Sequence, residues 1–178
     1  MCVLTFLFAG CGNGMKYFVR KNTDFSNIQK IAVMPLENFT PDRYAAAKIR
    51  SMIMIELLSK GVDVTEPGQV ISSMRELKIQ SVAGMSVEEM KNIGRMMGVD
   101  ALVMGSVETY GISRGISVSY PEASIRLTLI GSQDGLALWS IWHTAGGADF
   151  WTRHFGAEGG TLDETAGMVV KEALGTLF

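Results

Sequence analysis

Thiol chemistry has little to work with in this chain of 178 residues, which holds two cysteines, Cys2 and Cys11. Two cysteines exclude a disulfide framework, and neither belongs to a CxxC pair of the kind that binds zinc. Basic charge is not in excess either, with 16 Lys plus Arg against 18 Asp plus Glu and a net charge of −2. A non-specific nucleic-acid binder needs a basic surplus, so that class is excluded. No run reaches the roughly 18 apolar residues of a membrane-spanning helix. Hydrophobic residues make up 47% and charged residues 19%, a globular balance and not a disordered one.

The first eleven residues, MCVLTFLFAGC, form an apolar run closed by small residues and a cysteine. That is the physical form of a secretory signal, too short to span a bilayer. Leu7-Phe8-Ala9-Gly10-Cys11 resembles a bacterial lipobox. The resemblance implies a signal peptide over 1–10, cleavage before Cys11, and acylation of that cysteine, palmitate included. No Lys or Arg precedes the apolar run, so the start is expected inside a longer signal peptide. Removal of Cys2 and acylation of Cys11 would leave no free thiol. Gly12 is not the Asp that marks inner-membrane retention in such proteins, which points to the outer membrane. Residues 11–27 then read as the lipidated cysteine and a short tether. Sixteen stretched residues reach at most about 55 Å. Tyr17-Phe18-Val19 reads alternatively as a strand docked on the domain.

One α/β domain is expected over 28–178, in the order β-α-β-α-α-β-β-β-α. Lys30–Met34 is a buried strand closed by Pro35. Thr40 reads as a helix cap with Pro41 in the first turn, giving a helix over 41–60 that Gly61 stops. Val62–Val64 is a brief strand, and Pro67 opens a second helix. Ser86 and Glu89 form a capping box ahead of a helix whose apolar face is Val87, Met90, Ile93 and Met97. Ala101–Tyr110, Ser124–Ile130 and Leu136–His143 are strands, with Asp134-Gly135 as a hairpin turn. A second capping box, Thr161 to Glu164, opens a C-terminal amphipathic helix. Helices between strands imply parallel pairing, and the 100–143 meander implies antiparallel pairing, so the sheet is mixed.

Gly111-Ile112-Ser113-Arg114-Gly115 matches the G-x-S-x-G pattern of hydrolases, but it lies between two strands and not at a strand–turn–helix elbow. His143, Asp149 and His154 have no recognised ligand spacing, so no metal is expected. No cofactor is expected: Gly10, Gly12 and Gly14 do not follow a strand, as a phosphate cradle requires. No nucleophile, base and oxyanion donor assemble, which argues against an enzyme. Trp139 reads as core. Trp142, Phe150 and Trp151 are hard to bury together and read as a partner surface. Methionines 52, 54, 74, 90, 96 and 97 read mostly as core filler.

Three segments carry a wider resemblance. Ile31-Ala32-Val33-Met34-Pro35-Leu36-Glu37-Asn38-Phe39-Thr40 resembles the opening strand of a family of bacterial envelope lipoproteins. Ile93 to Val107, with Gly94, Gly98, Asp100 and Gly105 in place, resembles that family's helix-to-strand segment. Asp134-Gly135-Leu136-Ala137-Leu138-Trp139 is similar to its hairpin, with Asp134 in a threonine position. The family includes the curli-secretion lipoprotein, the lipoprotein activator of penicillin-binding proteins and a neisserial surface lipoprotein. The resemblance implies a fold like the N-terminal domain of TolB. It also implies a non-enzymatic role through protein contacts at the periplasmic face of the outer membrane, with a membrane anchor at Cys11. The partner protein is not implied. A ring-forming secretion subunit, a synthase activator and a small-ligand module are the alternatives. The 111–123 connection reads as too short to supply barrel strands, and the tether as too short to cross the cell wall.

Overall fold

The computed structural model describes residues 15–114, 119–146 and 161–177. Their strands are β1 (Lys16–Val19), β2 (Lys30–Val33), β3 (Glu37–Asn38), β4 (Asp63–Val64), β5 (Ala101–Arg114), β6 (Ser119–Gly131) and β7 (Ala137–Gly146). The helices are α1 (Ala45–Ser59), α2 (Pro67–Glu76), α3 (Val87–Met97) and α4 (Leu162–Leu174), with a 3-10 turn at Phe25–Asn27. One sheet runs β1-β7-β6-β5-β2-β4, and β3 also pairs with β5. β2 lies parallel to β4 and β5, while β5, β6, β7 and β1 are antiparallel. The expected mixed sheet is present, and its element order gains β1 and β3.

Alternation along the strands decides which face is which. In β6, Ile125, Leu127 and Leu129 are fully buried while Arg126 between them is exposed. Their face, continued by Val103 in β5 and by Trp139 and Ile141 in β7, meets α1 and α4 in the larger core. The opposite face of β2 and β5 presents Ala32, Met34 and Leu102 to α2 and α3, a second and smaller core. The larger side chains there are worth about 1.5–3 kcal/mol each in transfer terms.

Local chemistry fixes the helices. Ser86 and Glu89 close the capping box on α3, with the Ser86 amide donating to Glu89 Oε2 at 2.7 Å. Gly98 then takes φ 62° to end that helix in the left-handed region. Thr161 and Glu164 repeat the box on α4. Asp100 accepts from the amides of Gln29 and Lys30, both at 2.9 Å, and ties the start of β2 to the start of β5. Arg50 on α1 forks onto the Val33 carbonyl at 2.9 and 2.6 Å and holds the other end of β2. Burial pushes the Arg50 pKa down from its ordinary value. At Gly105 a Cβ would stand 2.0 Å from the Arg126 carbonyl oxygen, so β5 and β6 approach as closely as they do because no side chain intervenes.

Four sequence expectations need correction. α1 starts at Ala45, not at 41, and Thr40 does not cap it. The reason is Asn38, whose side chain accepts from the Thr40 amide at 3.1 Å and donates to the Asp42 carbonyl at 2.8 Å. That turn holds residues 38–42 outside the helix. Val87 is 52% exposed and does not join the inward face of α3. Residues 111–123 are mostly not a connection: β5 and β6 stay paired out to Arg114 opposite Ser119. Finally, β1 pairs with β7 from Lys16 opposite Trp142 to Val19 opposite Trp139. The Lys16–Val19 part of the stretch read as a tether is therefore a strand of the sheet, as its second reading held.

Candidate interaction surface

The sheet is covered unequally. α1 and α4 span one face, while α2 and α3 reach only β2 and β5 on the other. On that second face, β6, β7 and β1 carry outward residues with no helix over them among the described residues. Register builds the surface in rows. Ser106, Arg126, Trp142 and Lys16 stand opposite one another across β5, β6, β7 and β1. Met104, Thr128, Ser140 and Phe18 form the adjacent row.

Trp142 is the largest side chain there and is 56% exposed. Arg126 sits over its ring, guanidinium carbon 5.0 Å from the centroid. The indole N–H donates to Ser124 Oγ at 3.2 Å. Arg126 in turn lies 3.6 Å from Glu108 Oε1, which also accepts from Ser106 Oγ at 2.7 Å. The ring is thus held from one side and from its edge, while more than half of it stays exposed. Holding a large amphipathic ring in one orientation removes part of the entropy cost of binding. A shallow groove of about 290 Å³ runs beside it between Lys16, Phe18, Arg126 and Ser140.

A second groove, about 580 Å³, lies where β3 leaves the sheet. Phe39, Pro41, Tyr110, Ile112 and Leu162 line it. Phe39 and Ile112 are 62% and 60% exposed. Beneath it, Tyr110 donates its hydroxyl proton to Asp163 and accepts from Lys48 Nζ at 3.2 Å. Lys48 also lies 3.7 Å from Asp42 and 4.0 Å from Asp163. Burial, aided by the bond to Asp163, pushes the Tyr110 pKa up, so the phenol stays protonated as a donor. The Tyr110 bond holds the Lys48 pKa above its ordinary value, and the lysine stays charged. This network joins α1, β5 and α4 at the groove floor.

The sequence candidates divide among these places. Trp142 is on the sheet face that no helix covers among the described residues. Phe150, Trp151 and Cys11 lie outside the described residues, as do Asp149 and His154. Ser113 is inside paired strand β5 and donates to Glu122 on β6. His143 Nε2 is 2.6 Å from Glu172 Oε2, a bond between β7 and α4. Among the described residues no group of three or more His, Cys, Asp or Glu gathers as a metal site, and no helix is long and apolar enough to cross a membrane. Arg126 and Phe18 were not singled out from sequence. The signal was there for Arg126: it is the one charge in the alternating run Ser124–Ile130, so it had to point away from the core. For Phe18 the pairing with β7 supplies the partner surface, and nothing local announces it.

No protein-family model matches the chain, and no curated protein matches it. Solved structures do. PelC from Paraburkholderia phytofirmans, solved as a dodecamer, matches with a TM-score of 0.60 at 18% identity, over 90% of this chain and 96% of that one. The lipoprotein GNA1162 from Neisseria meningitidis matches with a TM-score of 0.59 at 20% identity, over 83% and 96%. The C-terminal domain of LpoB from Salmonella enterica matches with a TM-score of 0.50 at 16% identity, over 65% and 81%. The fold is the one these proteins share. It is the fold expected from the lipoprotein motifs around Ile31, Gly94 and Asp134.

Proposed function

We propose that the chain is a lipid-anchored, periplasm-facing interaction domain that supports assembly of a cell-envelope or secretion complex at the outer membrane, and that it is not an enzyme. The observation that carries this reading is the half of the sheet that no helix covers among the described residues, where Trp142 is held exposed by Arg126 and Ser124. A clamped aromatic on a flat, partly polar surface suits protein contact. The hydroxyl of Ser113 and the imidazole of His143 are each engaged with a carboxylate on a neighbouring element. Anchoring rests on the lipobox-like segment ending at Cys11, and β1 begins five residues beyond it. Cys11→Ser tests the anchor: fractionation should find the variant unprocessed or soluble. Normally processed protein in the membrane fraction would overturn it.

A second reading is favoured by the PelC dodecamer, which this chain matches over nearly its whole length. On that reading the chain assembles into a ring. Native mass of the full-length acylated protein in mild detergent separates the two: a ring-sized species supports the second, and a monomer or dimer the first alone.

A further inference from the structure

Of the strand edges with no strand beside them among the described residues, two differ in kind. One is the outer edge of β1, the first strand of the sheet order, whose four residues are all exposed. The other is on β5. There β2 and β3 pair only as far as Val107, and from Thr109 to Arg114 β5 is paired on its β6 side alone. The far end of the sheet, β4, is only two residues long and is blunted by that brevity.

The two open edges complement one another. β1 and the residue pair after it carry Lys16, Arg20 and Lys21, with no acid before Asp24. The groove along the open part of β5 is bordered by Asp42, Glu108 and Asp163. Lys48 serves both Asp42 and Asp163, and Arg126 offsets Glu108, so one carboxylate there remains in excess; Arg114 stands at the far end of the strand. Apolar surface matches too. Tyr17 and Val19, 55% and 39% exposed, are opposite Ile141 and Trp139 and so point to the helix-covered side. Ile112, two residues on from the core residue Tyr110, points to that same side, next to Phe39. Four residues of β1 fit within the six open residues of β5.

We infer that β1 of one copy adds as a strand to the open edge of β5, at Thr109–Arg114, of a second copy. This inference rests on the ring reading and names the contact that builds it. Because the two edges are different surfaces, the contact is head-to-tail, and repetition closes a ring if the rotation permits or extends a filament if it does not. Strand addition supplies main-chain hydrogen bonds for affinity and side-chain contacts for register. Each copy would contribute β1, β7, β6 and β5 in sequence to one continuous sheet.

The test is crosslinking of the full acylated protein in mild detergent, in a Cys2→Ser background. A short bifunctional maleimide is used, since disulfide formation would demand Cα atoms closer than about 7 Å. Tyr17→Cys with Ile112→Cys in one chain should give a ladder of dimer, trimer and higher species on denaturing gels. Each single variant should stay monomeric, and a mixture of the two should give dimers only. Lys16→Glu with Lys21→Glu should weaken assembly at least about tenfold by native mass, through like-charge contact. Three outcomes overturn the inference. Dimers from Tyr17→Cys alone would mean that β1 pairs with itself. A ring-sized native mass with no ladder would place the interface elsewhere and leave the ring reading standing. A native monomer would remove both.

Discussion

Trp139 and Trp142 lie three residues apart on one strand and meet opposite environments. Trp139 is fully buried under α4, and its indole N–H donates to Thr176 Oγ1 at 2.9 Å. Trp142 is 56% exposed on the other face, where no helix lies over β6, β7 and β1 among the described residues. The strand period of two separates them, and helix placement gives that separation its consequence. α4 supplies a lid to the first ring, and α2 and α3 stop short of the second. One strand thus serves folding on one side and is available for contact on the other.

Stability should follow the same division. Trp139→Ala should cost about 3–5 kcal/mol in urea unfolding, the cost of a large core truncation. A loss under about 1 kcal/mol would mean that the α4 lid is not what buries it. Gly105→Ala should cost about 1–3 kcal/mol, because the new Cβ meets the Arg126 carbonyl. Gly111→Ala, on the same strand with nothing within 4 Å, should unfold close to the parent protein.

Reading the strands from sequence worked where one face is buried and the other is not. Ile125, Leu127 and Leu129 against Arg126 and Thr128 mark β6 without a partner in view, and Ser86–Glu89 and Thr161–Glu164 announce two helix starts through chemistry confined to four residues. What stayed hidden depends on residues far apart in the chain. β1 was legible only as the alternative to a tether, because its partner β7 lies about 120 residues later. α1 starts at Ala45 because Asn38 binds the Asp42 carbonyl, and a Thr-Pro pair alone reads as a cap. The Lys48–Tyr110–Asp163 network joins three elements across 62 and 53 residues, and no local pattern signals it. Of the surface candidates, Trp142 is placed by its strand parity, whereas Phe150 and Trp151 lie outside the described residues.

Smaller effects sharpen the same contrast. Thr161→Ala removes the side-chain acceptor at the start of α4, the helix that lids Trp139, and should cost about 1 kcal/mol. Its partner Glu164 adds a pH signature. Bonds from the Thr161 backbone amide and hydroxyl hold the Glu164 pKa below the ordinary carboxylate value. A depressed folded pKa means that the contribution is present above the unfolded value and fades as pH falls through the folded one. Glu164→Ala should therefore lower Tm at neutral pH, and the gap to the parent should close in acid; a gap constant with pH would contradict the cap. Trp142→Ala should change stability by no more than about 1 kcal/mol, chiefly through the lost Arg126 contact, itself about 0.5–1 kcal/mol at an exposed site.

In-cell photo-crosslinking from two exposed positions decides whether the Trp142 face of the sheet is the contact surface. A photoreactive residue replaces Trp142 in one strain and Met168, 53% exposed on α4, in the other. The account predicts a discrete adduct with an envelope protein or a second copy from position 142 and only background from 168. Adducts from 168 with none from 142 would contradict it.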